Sequence, residues 1–196
     1  RELVDDVAAA GFCDAVLVGH SQAGMELPQM AHIAPGLFRR LVFVTCSAPL
    51  PGHSTLDQMG MGLHGSNPDQ VGWPVDPLTA SMEDRLRIMF CNDMDDAQAV
   101  GFMGRLGHDM WPQVCYEHTD WRRDHLADMP VSYVVCLRDM SLPVEWQLRF
   151  AERLHADRIV RMCLSQILRS NLLANVSDPI AVPGRFVSFQ RLHGAN

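Results

Sequence analysis

A short apolar strand that passes straight into a helix through a serine is the most restrictive feature of this chain. Ala15-Val16-Leu17-Val18 reads as a buried strand, Gly19-His20-Ser21-Gln22-Ala23-Gly24 follows, and Met25, Leu27, Met30, His32 and Ile33 then keep helical spacing up to Ala34, with Pro28 removing one backbone donor. A turn this tight holds Ser21 in a strained backbone conformation, so small residues must flank it: Gly19 two before, Ala23 two after and Gly24 beyond. The same turn lifts the Ser21 hydroxyl above the sheet at a helix N-terminus, where unpaired N–H groups favour developing negative charge. The backbone N–H of Gln22 is the candidate oxyanion donor. As a string, Gly-x-Ser-x-small arises by chance in about one chain in ten of this size; the strand before it and the helix after it make it specific. The competing reading is a plain strand–helix turn in which Ser21 only caps the helix.

The rest of the chain alternates in the same way. Leu3 to Ala10 reads as a helix stopped by Gly11 at a position that favours positive φ. Further strands are read at Leu41-Val42-Phe43-Val44-Thr45, at Val131 to Leu137 and at Arg158 to Met162. Pro143 suits the first turn of a helix whose Trp146, Phe150 and Leu154 recur every four residues. Such alternation implies parallel strands joined by right-handed crossovers, with helices on both sheet faces, so the fold class is α/β. From Pro49 to about Tyr116, Gly, Pro, Met and polar residues replace the short apolar runs, as in an inserted, partly helical lid. There Ser81-Met82-Glu83-Asp84 fits a capping box ahead of Leu86, Met89 and Phe90, and Asp95 to Leu106 reads as another helix. The resulting division is a core over residues 1–48 and 129–162, a lid over 49–128, and a tail over 163–196 in which neither period is visible.

Gly19-His20-Ser21-Gln22-Ala23-Gly24 resembles the nucleophile elbow of the α/β-hydrolases, with Ala23 in place of the more usual glycine. Pro49-Leu50-Pro51-Gly52-His53-Ser54, after the next strand, is similar to the proline-containing turn that opens the lid in the branch of small-ester esterases and hydroxynitrile lyases. The resemblance covers residues 1 to about 162. It implies a partial α/β-hydrolase fold, a serine nucleophile at Ser21, a pocket lined at His20, and no cofactor. Asp139, within Leu137-Arg138-Asp139-Met140-Ser141-Leu142-Pro143, matches the place of the family's acid, which orients the histidine base; a turn or helix-cap aspartate is the alternative. The family's base follows the last strand in a Gly-His pair. Here Arg161-Met162 leads into Cys163-Leu164-Ser165-Gln166-Ile167-Leu168-Arg169-Ser170, and the next histidine is His193, the remaining candidate base. Complete members also place several strands, and the loop with the second oxyanion donor, before the elbow. Only 20 residues precede Ser21, so Ala15–Val18 is expected at an exposed sheet edge open to self-association, and the chain reads as a truncated or frame-altered product.

The balance of 23 acidic against 16 basic residues, net −7, with no basic run longer than a pair, argues against a nucleic-acid partner. No apolar run approaches the roughly 20 residues of a membrane helix, so the reading is cytoplasmic with no membrane partner. Six cysteines, Cys13, Cys46, Cys91, Cys115, Cys136 and Cys163, lack any Cys-x-x-Cys and read as buried thiols. His108, His118 and His125, near Asp120, Asp124 and Asp128, have no metal-ligand spacing and read as surface or packing residues. Two functions stay open: hydrolysis of an apolar small or medium ester by Ser21, and a non-catalytic remnant or ligand-binding domain on the same frame. A lyase on this scaffold would need the same base. The lid's Met59, Met61, Met82, Met89, Met94, Met103 and Met110, with Trp73, Trp111 and Trp121, suit an apolar substrate and equally suit the lid's own packing.

Overall fold

The computed structural model describes residues 1–106, 117–165 and 186–188. Five parallel strands, β1 (Ala15–His20), β2 (Phe38–Val44), β3 (Val131–Cys136), β4 (Arg158–Met162) and β5 (Phe186–Ser188), lie in the order β4-β3-β2-β1-β5. The helices are α1 (Glu2–Ala9), α2 (Ala23–Ile33), α3 (Thr55–Met59), α4 (Met82–Phe90), α5 (Asp96–Met103) and α6 (Val144–Arg153), with a short 3₁₀ helix at Asp124–Asp128. The parallel α/β architecture follows from the alternation in sequence, and Gly11 ends the first helix at φ 73°.

One expectation is corrected. β1 is not an edge: Val16, Leu17 and Val18 pair with Phe186, Val187 and Ser188. A tail without side-chain periodicity can still supply these three residues, because pairing satisfies backbone N–H and C=O groups and makes little demand on side chains. The expected flanking helices are present, and α1, α2 and α6 pack together on one face of the sheet. Val4 and Val7 of α1, Leu27, Met30 and Ala31 of α2, and Trp146, Phe150 and Ala151 of α6 join one apolar cluster with Leu17, Leu41, Phe43, Tyr133 and Val135. The opposite strand faces form a second cluster, from Val16, Val18, Val42, Val44, Val134 and Cys136, in which no described helix takes part. The two sets alternate along each strand, as a period of two requires.

α6 fixes the end of β3 that the site depends on. Its Trp146 and Phe150 rings stack at 5.6 Å on the buried face predicted by their spacing. Gln147, one position round the helix and fully buried, accepts from the Cys136 N–H at 2.8 Å and donates to the carbonyls of Cys136 and Leu142 at 2.9 and 2.7 Å. One amide thereby holds both ends of the turn that carries Asp139.

The segment between β2 and β3 returns upon itself at its base. Gly52 N–H donates to Thr119 O at 2.8 Å and the Trp121 indole to His53 O at 3.0 Å, while Arg123 and Arg153 donate to the carbonyls of Pro49 and Ala48 at 2.7 and 3.0 Å. Ser81 caps α4 by accepting from Asp84 N–H, but the reciprocal backbone bond of a capping box is found instead at Ser54/Asp57 and Asp95/Gln98. Cys46, Cys91 and Cys136 are buried free thiols; Cys13 and Cys163 are free but exposed, so burial does not extend to them, and Cys115 lies outside the described residues. Burial raises the Cys46 thiol strongly and pushes Cys136 up to about 12, so both are unreactive packing groups. No helix among the described residues is long and apolar enough to cross a membrane.

Candidate active site

Ser21 stands between β1 and α2 at φ 55°, a left-handed conformation that a non-glycine residue adopts only when its surroundings enforce it. Those surroundings are identifiable. Ser21 N–H donates to Val44 O and Ser47 N–H donates to Ser21 O, both at 3.1 Å, so the residue is pinned to the end of β2. A Cβ on Gly19 would stand 2.6 Å from the Ala23 Cβ, and one on Gly24 would stand 2.0 Å from the Ser47 carbonyl oxygen. The two glycines are therefore demanded by packing. Gln22 is the N-cap of α2, and its N–H donates to no backbone carbonyl among the described residues, as is usual for the first N–H groups of a helix.

Asp139 is buried in the turn after β3. One carboxylate oxygen accepts from Ser141 N–H at 2.8 Å and from Leu142 N–H at 3.0 Å; the other accepts a short bond from the Thr45 hydroxyl. Burial raises the carboxyl above its usual range, against the opposing pull of the Thr45, Leu142 and Ser141 bonds and of nearby His64. A carboxylate has about four acceptor positions. Three are occupied, and one is left for a further donor.

Thr45 and His64 were not singled out in the sequence. Thr45, buried at φ 41° directly after β2, joins the acid to the Ser21 side, since it and Ser21 line the same cavity. Its signal was available: a hydroxyl residue at the carboxyl end of a strand beside the elbow faces the end of a parallel sheet where ligands bind. His64 bonds through Nδ1 to Val71 O at 3.0 Å and through Nε2 to Met140 O at 2.9 Å, tying the lid to the Asp139 turn. Nothing in its sequence surroundings announces that contact.

The cavity above Ser21 has a volume of about 310 Å³. Ser21, Gln22, Thr45 and Ser141 form part of its wall, and Trp73, Met59, Met82, Met89, Leu86 and Phe90 of the lid much of the rest. Of the lid methionines, Met59, Met82 and Met89 thus face this space. His20 is not among the lining residues. It ends β1 on the Val16/Val18 side, because alternation sends it to the face opposite Leu17. His118 bonds to Asp120 O at 2.9 Å and stacks edge-on against Trp121 at 4.4 Å, and His125 bonds to Pro28 O at 2.8 Å beside the His32 ring. His108, Met110, Trp111 and His193 lie outside the described residues.

A strained serine at a strand–helix turn, over a lidded cavity that it shares with the Thr45 bonded to a buried aspartate, has a counterpart among known families. The profile of the "Alpha/beta hydrolase family" matches residues 1–168. The chain belongs to the alpha/beta hydrolase family. Among solved structures, this hydrolase chain is similar to an extracellular alpha/beta-hydrolase from a Paenibacillus species, with 19% identity over 90% of this chain and 76% of that one and a TM-score of 0.69. A pyrethroid hydrolase from Sphingobium faniae is 19% identical over 93% of this chain and 76% of its own, with a TM-score of 0.60. Polyneuridine aldehyde esterase is 20% identical over 85% and 71%, with a TM-score of 0.57. These likenesses establish the fold. No curated protein sequence matches the chain.

Proposed function

We propose that this chain is a serine ester hydrolase acting on a small or medium, largely apolar ester. The observation that carries the reading is the left-handed Ser21, held at φ 55° at the head of α2 and opening onto the lid cavity. In the proposed step the Ser21 oxygen bonds to the ester carbonyl carbon while its proton passes to a histidine base. The carbonyl oxygen takes negative charge next to the Gln22 N–H, and the alcohol departs with that proton. Water then releases the acid and restores Ser21. Asp139 is the acid that orients the base through its remaining acceptor position, and His193 is the candidate base.

One observation favours the second reading, a ligand-binding domain without turnover. The Asp139 carboxylate already has the partners of a turn cap in Ser141, Leu142 and Thr45, and needs no imidazole to be satisfied. A fluorophosphonate probe separates the two, because it labels an activated serine and not a merely exposed one. The hydrolase reading expects a covalent adduct on the folded chain that Ser21→Ala abolishes. A folded chain that takes no label refutes it in favour of the binding domain.

A further inference from the structure

Arg85 of α4 is the one charged side chain among the described residues that line the cavity above Ser21. Its acidic neighbours on the helix have other partners: Asp84 accepts from the Ser81 hydroxyl at 2.7 Å, and Glu83 faces Arg87 at 3.9 Å. The Arg85 Nε is sealed from solvent with no hydrogen-bond partner, and the guanidinium enters no ion pair among the described residues. On the elbow side of the same cavity the Gln22 side chain repeats the pattern, with both Oε1 and Nε2 buried and unpartnered. Leaving a buried donor or acceptor unpaired costs about 1–3 kcal/mol, more for a charged group. Two such side chains, in a cavity otherwise walled by Met, Leu, Trp and Phe together with the small hydroxyl residues Ser21, Thr45, Ser47, Thr55 and Ser141, form a polar pair that awaits a partner.

We propose that this cavity takes esters that carry a carboxylate at the far end of a short acyl chain, that is, half-esters of small dicarboxylic acids. The inference rests on the ester-hydrolase reading of the same site and adds the substrate class to it. The Arg85 guanidinium receives the carboxylate, whose charge no acidic wall residue opposes. The methylene chain lies against Met82, Met89 and Leu86, and the ester carbonyl sits at Ser21. Gln22 offers a neutral donor and acceptor beside it. A volume of about 310 Å³ lies at the small end of ligand cavities, which limits the acyl chain to a few carbons. Arginine suits the task because its planar fork meets a carboxylate with two parallel hydrogen bonds.

The test compares two probes of nearly equal shape, monomethyl glutarate and methyl pentanoate, by titration calorimetry on the Ser21→Ala chain, which binds without turning them over. The charged probe is expected to bind at least about tenfold more tightly, the scale of one charge-assisted hydrogen bond. Adding Arg85→Gln collapses the ratio of the two affinities toward one, whereas Arg85→Lys keeps part of it. α4 has no buried residue, so both variants fold, as their thermal transitions will report. Equal affinities for the two probes, no binding of monomethyl glutarate, or an unchanged ratio in Arg85→Gln overturns the proposal. Fluorophosphonate labelling of the unmodified chain reports separately on the hydrolase reading. Selective binding without labelling keeps the carboxylate subsite and removes the hydrolysis; labelling without selectivity does the reverse.

Discussion

The elbow and the lid meet across one cavity, but different forces hold them. Around Ser21 hard contacts decide: Gly19 and Gly24 leave no room for a methyl group, and the backbone is pinned to β2 from both sides. In the lid α4 has no buried residue and α5 has only Ala99. Its shape comes from side chains that grip carbonyl oxygens, such as the Trp73 indole on Gly60 O at 2.8 Å and His64 on Val71 O and Met140 O. Close packing writes itself into residue size. A bond to a carbonyl leaves no mark on the partner's identity, since every residue has one.

The sharpest way to break this comparison is to make the same substitution in both regions. Gly24→Ala drives a Cβ to 2.0 Å from the Ser47 oxygen, a backbone atom that cannot swing aside. A loss of about 3 kcal/mol is expected, at the upper end for overpacking. Gly101→Ala, inside α5, meets nothing within 4 Å and will stabilise by about 0.5–1 kcal/mol through the better helix propensity of alanine. Urea unfolding of the two variants measures both. Losses of similar size in the two regions would show that the lid is packed as tightly as the elbow.

A smaller effect sharpens the link between the two regions at Asp139. Thr45→Val keeps the shape and removes the hydroxyl that donates to the buried carboxylate, at an expected cost of about 1.5–3 kcal/mol for a hydrogen bond to a charged group. That bond favours the ionised form, so its loss pushes the Asp139 carboxyl further up. With Asp139 needed as a carboxylate, the acid limb of Ser21 labelling moves to higher pH. Labelling of Thr45→Val with an unchanged pH profile would separate Asp139 from the chemistry.

What was legible in the sequence follows the same division. Gly19, Ala23 and Gly24 announce the turn because only small residues fit it, and Trp146, Phe150 and Leu154 announce α6 because they must share its buried face. The parallel sheet follows from the alternation. β5 escaped because it lies in a segment without period, and strand pairing itself is made by backbone groups. Arg85 escaped because one arginine among surface charges on a lid helix looks solvated until the cavity it lines is seen. Thr45 read as the end of a strand, and only its left-handed backbone and its bond to Asp139 give it a place beside Ser21.

The smallest effect concerns a charge that packing has trapped beneath the elbow. Glu26 sits on α2, and burial raises its carboxyl above the ordinary value of 4.5. A carboxyl raised in the folded state binds its proton more tightly there than in the unfolded chain. Its ionised form therefore costs stability once the pH exceeds the folded value, and the cost vanishes below about 4.5. Glu26→Gln keeps the size and removes the charge. The variant is expected to melt slightly higher than the unmodified chain at pH 8, with the gap closing as the pH falls toward 4.5. Thermal midpoints across that range measure the gap. A gap that stays constant with pH would mean that Glu26 acts through packing alone, and the elbow would then be governed by sterics down to its last charged neighbour.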